Sequence, residues 1–223
     1  MNNGPLLVLA SNSPRRKQLL SLSGWLFKVQ PAEVDESLQP NEAAGDYVLR
    51  LARTKVLISA NHLKGDWTVI AADTAVVDGR NILGKPKSTK EATRMLEQLR
   101  GHTHQVYTGI AALPNGGDEP ITDVCITHVP MRNYSDEEVQ NYVASGEPLD
   151  KAGAYAIQDP RFKPVGSISG CYSSVMGLPL CHLVHLLRRL DIEPKTDVPG
   201  NCQTTHGYQC SIYQAALRGE PVG

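Results

Sequence analysis

An α/β fold built on a mixed sheet is the class this sequence predicts, and three observations carry the expectation. Strand-like apolar runs alternate with helix-like stretches along most of the chain, with no internal repeat or low-complexity tract. Two of the runs, residues 6–10 and 67–73, are almost continuously apolar, as strands covered on both faces are. Two further runs, "HQVYTGIAAL" and "ITDVCITHVPMR", are joined by the turn-rich "PNGGDEP", which predicts an antiparallel pair.

The elements follow from local chemistry. "LLVLA" reads as a short buried strand. Ser13 is a good N-cap and Pro14 suits the first helical position, so a helix is predicted to about Ser23, stopping at Gly24. "WLFKVQPAEVDES" reads as a strand running into an acidic loop with Glu33, Asp35 and Glu36. Asn41 can cap a long helix over about 42–60, whose apolar stripe includes Tyr47, Leu51, Val56 and Leu57 and which also carries Lys55. "WTVIAAD" is a central-strand candidate ending at Asp73, and "AVVDGRNIL" is hairpin-like around Asp78-Gly79. Ser88 with Glu91, and Ser135 with Glu138, have capping-box spacing for helices ending at Gly101 and Gly146. "AGAYAIQ" is a further strand candidate, followed by a Gly- and Ser-rich segment to about Gly177. "LPLCHLVHLLRRLDI" closes the body with a helix, and residues 193–223 read as a weakly apolar, turn-rich tail of uncertain order.

The length of 223 residues suits one large domain or two lobes sharing a cleft. A net charge of −1 gives no global attraction to nucleic acid or anionic membrane, so any phosphate binding must be local. No apolar run approaches the roughly 20 residues of a membrane span, and "PLLVLA" lacks the basic lead and the length of a signal segment. Five cysteines, an odd number without C-x-x-C, suggest free thiols in a reducing cytoplasm.

The stretch "VLASNSPRRKQLL" combines a strand, a helix start and two adjacent arginines. A helix N-terminus offers unpaired N–H groups and a partial positive charge, and Arg15 and Arg16 make it an anion site suited to phosphate. The plain alternative is a solvated basic first turn, which the helix dipole disfavours. Asp73, ending an apolar strand, sits where open α/β sheets place ligands; otherwise it caps the next turn with Thr74. Lys55, and Lys85 in "LGKP", read singly as snorkelling surface lysines. Together with Arg15 and Arg16 they would form a cationic cage for a polyphosphate. Glu33, Asp35 and Glu36 could join Asp73 around Mg²⁺ or Mn²⁺, although Asp35 and Glu36 read more simply as a solvated loop.

Other patterns carry less. There is no G-x-x-x-x-G-K-[ST], and the serine in "GSISG" is misplaced for a nucleophile elbow. His102, His104, His182 and His185 lack a metal frame and read as surface and packing histidines. Cys202, His206 and Cys210 give only three ligands for a soft metal.

Taken in order, "ASNSPRR", "AADTAV", "LGKP" and "SGEPLDKAGAYAIQ" resemble the Maf family of nucleoside triphosphate pyrophosphatases, across roughly residues 6–190. The resemblance implies a bent mixed sheet flanked by helices, with two lobes around a deep cleft of Maf/ITPase-like form. It implies a nucleotide pyrophosphatase domain over 1–192, commonly a homodimer, acting on a nucleoside triphosphate with Mg²⁺ or Mn²⁺. It makes Asp73 the catalytic general base and places Glu33, Lys55 and Lys85 in the active site. Arg16 is the second arginine of the phosphate motif, beside Ser11 and Arg15. Gln158 matches the branch preferring dTTP and UTP. Its amide can pair with O4 and N3–H of uracil or thymine, with Arg16 and Thr74 as the neighbours that fix specificity, and Glu33 with Asp73 would hold the metal. Two positions depart from the family pattern: Gly166 stands where Glu is usual, and Ser174 where Asn is commoner.

The function expected is therefore cleavage of dTTP and UTP, and modified pyrimidine nucleotides with them, to monophosphate and diphosphate in the cytoplasm. This cleans the nucleotide pool without a nucleic-acid or membrane partner. The alternative is a nucleotide-binding regulator of septum formation with little turnover. A carboxylate placed beside bound phosphates favours the enzyme, because binding alone does not need a base.

Overall fold

A computed structural model describes residues 5–223. The first strand, β1 (Leu6–Leu9), leads into α1 (Pro14–Ser21), where the Ser13 side chain caps the helix by accepting from the Arg16 N–H. Strand β2 (Phe27–Val29) and helix α2 (Ala44–Ala60) follow. Helix α2 starts two residues later than the sequence suggests. Asn41 sits at φ 59°, and the Glu42 carboxylate turns back to the Gln39 N–H and to Arg50, so Ala43 occupies the cap without a side-chain bond.

Strand β3 (Trp67–Asp78) turns at Gly79 into β4 (Asn81–Leu83), and α3 (Thr89–Leu99) follows. Ser88 accepts from the Glu91 N–H as expected, but the Glu91 carboxylate reaches the Lys87 N–H and the box stays half closed. Strands β5 (Thr103–Pro114) and β6 (Ile121–Pro130) pair antiparallel, and α4 (Asp136–Ala144) carries a complete Ser135–Glu138 capping box. "AGAYAIQ" is not a strand. Gly153 and Ala154 have φ of 67° and 61°, two consecutive left-handed residues that an extended chain excludes, and the segment forms 3₁₀ turns at Glu147–Asp150 and Ala152–Ala154. The short α5 (Tyr172–Val175) and α6 (Leu180–Arg188) complete the body.

The expected tail of uncertain order carries α7 (Val198–His206) and α8 (Tyr213–Leu217), with Val198 and Ala216 buried. Its attachment joins these scattered apolar contacts to polar ones. Thr196 and Asn201 donate to the Leu22 carbonyl at 2.7 and 3.0 Å, and the Trp25 indole N–H donates to the Glu193 carbonyl at 2.8 Å. Such contacts leave no apolar periodicity for a sequence reading to find.

The sheet runs β2-β1-β3-β5-β6, with β4 also on β3; β1 is parallel to both neighbours and the other pairs are antiparallel. On one face Leu7, Leu9, Ile70 and Ala72 pack with α1 and α6, and on the other Val8, Val69 and Ala71 pack with Ala52 and Val56 of α2. That two-sided burial explains the continuous apolar runs. Farther along, Val76 and Val106 join a separate core with α3, α4 and Phe162. Strands β3 and β5 thus belong to both lobes.

Helix α2 lies close on β5 at Gly109, where a β-carbon would come within 2.8 Å of the Val48 carbonyl carbon and oxygen. Backbone cannot yield as a side-chain tip can. Gly109→Ala is therefore expected to cost about 2 kcal/mol, lowering Tm by about 4–8 °C in a thermal melt; an unchanged melt would show that α2 stands off freely.

Candidate active site

Strand β1 pairs with β3 only as far as Leu9 opposite Ile70, with a last bond from the Ala10 N–H to the Ile70 carbonyl at 2.8 Å. The chain then turns off through Ser11 into α1, while β3 runs on. Asp73 therefore does not end a strand, as its apolar run suggested. It lies mid-strand opposite Gly109, just beyond the carboxyl end of the parallel pairing. The ligand edge predicted for it belongs to β1.

A cleft of about 840 Å³ opens at this point and is lined by Ser11, Arg15, Arg16, Glu33, Lys55, Asp73, Thr74, Lys85 and Gln158, each of them expected from sequence. Glu36, Tyr47, Lys151 and Tyr155 line it as well.

Lys55 reaches in from α2 and is bound to the Asp73 carboxylate, with side-chain exposures of 8% and 10% for the pair. The same ammonium donates to Glu36 at 3.0 Å, and Lys85 stands 3.8 Å from the other Glu36 oxygen. Glu36 is thus the acid drawn into the cationic group, whereas the family resemblance points to Glu33. Burial alone would raise its carboxyl, but the charge and hydrogen bond of Lys55, with Lys85 and Arg16 behind them, hold it below the usual carboxylate range. Asp35 instead accepts from the Ser37 N–H within its own loop at 2.9 Å. No sequence spacing separates these three acids; the fold of the loop does. Tyr47 donates to the Glu36 carbonyl at 2.9 Å, and burial, then the Asp73 and Glu36 charges, push its hydroxyl up to about 12.

Arg16 is held from three sides. Its Nε donates to the Gly177 carbonyl at 2.9 Å, Nη1 to Ser11 Oγ at 3.4 Å and Nη2 to Thr74 Oγ1 at 3.4 Å. Burial lowers its pKa while Asp73 opposes that effect, and a guanidinium this basic stays charged. The Thr74 hydroxyl also meets Thr108 at 3.0 Å, so it serves Arg16 rather than standing free to orient Gln158. Arg15 leans across the cleft to Asp150 at 3.4 Å, and Asp150 and Glu147 hold the buried Lys151 at 2.6 and 3.1 Å. Neither Asp150 nor Lys151 was singled out from sequence, although both lie inside the "EPLDKAGAY" motif.

Among the described residues no three His, Cys, Asp or Glu side chains are arranged to hold a metal, and Cys202, His206 and Cys210 form no such group. His206 stacks on Tyr172 instead, with centroids 4.9 Å apart. Magnesium needs no protein cage, because it takes one or two carboxylates with phosphates and retained waters. Two carboxylates of the cleft, Glu33 and Asp73, supply hard oxygen donors of that kind. Gly166, where the family pattern has Glu, donates its N–H to the Pro130 carbonyl at 2.8 Å beside the Met131–Val165 bridge and does not line the cleft.

A family model described as Maf-like protein matches residues 6–190. A dTTP/UTP pyrophosphatase of Geotalea uraniireducens is 47% identical over 184 residues, covering 82% of this chain and 94% of that protein. A dTTP/UTP pyrophosphatase of Thermomicrobium roseum is 45% identical over 216 residues, 95% of each chain, an alignment that necessarily enters residues 193–223. Among solved structures, a nucleoside-triphosphatase / dITP/XTP pyrophosphatase from Mycobacterium abscessus aligns with a TM-score of 0.40 and 14% identity, over 82% of this chain and 97% of that one.

One wall of the cleft has a pH-sensitive support. His104 is buried and its Nε2 meets the Tyr155 hydroxyl at 2.8 Å. Burial, then the neighbouring His102, push its pKa down to about 4 from 6.5. The unfolded chain takes up this proton first as pH falls, so the neutral histidine's stability is fully present above about pH 6.5 and is lost toward pH 4. The loss amounts to about 3 kcal/mol. Melts between pH 7 and 4.5 should fall more steeply for the wild type than for His104→Gln; parallel slopes would rule this out.

Proposed function

The chain belongs to the Maf family, and on that premise we propose that it hydrolyses dTTP and UTP in this cleft, releasing monophosphate and diphosphate and so clearing the nucleotide pool. Relatives at 45–47% identity that carry the name dTTP/UTP pyrophosphatase support the substrate choice. The observation that carries the reading is the meeting of Arg16, Lys55 and Lys85 with Asp73 and Glu36 in one cleft of a chain with net charge −1.

In this reading the triphosphate lies across the N-terminus of α1, against Ser11, Arg15 and Arg16. Three of the five guanidinium N–H groups of Arg16 are engaged by protein, which leaves two for phosphate oxygens. Because the fold already holds the guanidinium, it stabilises developing charge without reorganising. Asp73 takes the proton from a water that adds to the α-phosphorus; the α–β anhydride bond breaks and pyrophosphate leaves against Lys85. Lys55 fixes the Asp73 carboxylate through the contact they share. Glu33 and Asp73 would hold a Mg²⁺ or Mn²⁺ ion, which when bound supplies positive charge to the phosphate oxygens. Gln158 reads the base. We place the activity in the cytoplasm, where five unpaired cysteines stay reduced, and in a homodimer as the family resemblance implies. No helix among the described residues is long and apolar enough to cross a membrane.

Asp73→Asn keeps the shape and removes the base, so pyrophosphate release from dTTP should fall about 10²- to 10⁴-fold while calorimetry still registers nucleotide binding. Loss of binding before turnover would make Asp73 a ligand-holding group instead.

For Gln158→Ala, the ratio of kcat/KM for dTTP over CTP should drop about tenfold or more, with little change on CTP itself, because a site built for one hydrogen-bond pattern rejects the other strongly. Unaltered selectivity would assign base reading elsewhere.

A further inference from the structure

We propose that Thr108, buried beneath the cleft, is a positioning residue that fixes the Arg16 guanidinium for a phosphate ligand. The inference rests on the function proposed above and concerns the polarity of one hydrogen-bond circuit.

Thr74 and Thr108 are direct partners in the β3–β5 register, so their side chains share a face, and their hydroxyl oxygens lie 3.0 Å apart. Thr108 is completely buried. Its Oγ1 also lies 2.9 Å from the Ser174 carbonyl of α5. A carbonyl can only accept and a hydroxyl has one proton. The Thr108 proton therefore goes to Ser174, and the contact with Thr74 must be a bond that Thr74 donates. Only lone pairs of Thr74 then remain for Arg16, and Arg16 Nη2 points at them from 3.4 Å.

The circuit closes through α5. The Gly177 N–H donates to the same Ser174 carbonyl at 2.9 Å, and the Gly177 carbonyl accepts from Arg16 Nε at 2.9 Å. Arg16, Thr74, Thr108, Ser174 and Gly177 thus form one ring in which each proton has a single place to go. Gly177 has φ 109°, and a β-carbon there would lie 3.4 Å from both Arg16 Nε and Thr74 Oγ1, so the ring is tightly drawn. Without the Thr108 hydroxyl, the Thr74 proton loses its acceptor and can turn toward Arg16, where two donors would face each other. The guanidinium then gives up the orientation that directs its remaining N–H groups at phosphate.

The test uses the full chain with inorganic tripolyphosphate as calorimetric probe, beside dTTP turnover. Thr108→Val should weaken tripolyphosphate binding about tenfold, the scale of one net hydrogen bond, and lower kcat/KM for dTTP by a similar factor. Thr108→Ser keeps the hydroxyl and should stay within about twofold of wild type on both measures. In an Arg16→Ala background Thr108→Val should change tripolyphosphate binding no further, because the partner it serves is gone. Wild-type binding in Thr108→Val, or an equal loss in both backgrounds, overturns the proposal. If the valine variant does not fold, Thr108→Cys supplies a weak donor of similar size. An Arg16-dependent loss of about threefold is then expected, and wild-type binding is again fatal. A wild-type chain that binds tripolyphosphate through this circuit but does not cleave dTTP would refute the proposed activity and leave the role of Thr108 standing.

Discussion

Strand β3 pairs in parallel with β1 over four residues and in antiparallel with β5 over ten, and the cleft exists because the first pairing stops where the second continues. Beyond Ile70 one edge of β3 is released. The chain that had covered it departs as the loop and helix carrying Ser11, Arg15 and Arg16, and Asp73 and Thr74 are left facing that departure. Helix α2, seated against Gly109 on β5, delivers Lys55 to the same point. A shift of β3 by one residue would send Asp73 to the opposite face of the sheet, because strand side chains alternate. The ten-pair register with β5 and the close seat of α2 on Gly109 oppose such a slip.

The charges follow from that geometry. Asp73 and Lys55 are buried together, so each is stabilised chiefly by the other, while Glu36 and Lys85 lie at the exposed side of the same group. Lys55 is central because it touches both Asp73 and Glu36. A phosphate chain entering this group meets Lys55 already buried and Arg16 already oriented, with Lys85 exposed at the rim. Preorganised electrostatic catalysis requires that arrangement.

What the sequence disclosed and what it hid divide along a physical line. Local features were legible: the Ser13 cap, the Ser135 box, the two-sided strands, and the placement of Arg16, Asp73, Lys55 and Lys85 at one site. These depend on neighbours within a turn or on motifs that travel together. Features decided by distant contacts were not legible. Glu36 differs from Asp35 only in where the loop lays it against Lys55, and Asn41 lost its cap because Glu42 found Arg50. The "AGAYAIQ" stretch has strand-like composition, yet Gly153 sits where a β-carbon would come within 2.9 Å of Val76, and that packing selects a left-handed turn. Residues 193–223 attach through capped carbonyls and isolated apolar side chains, which leave no periodic trace.

The two cores also differ in how far along the chain their members lie. The one around Val76 and Phe162 draws on residues from about Val76 to Val175, whereas the one around Leu7 and Leu187 reaches from Leu7 to Leu217. During synthesis the first of these has all its parts available while the second still waits for α6, α7 and α8. Strand β1 therefore has its two faces completed at different times: the Val8 and Ala10 side belongs to a core whose members end at Leu113, whereas the Leu7 and Leu9 side needs residues of α6. The face of β1 that carries Leu7 and Leu9 is thus closed only once α6 has been made.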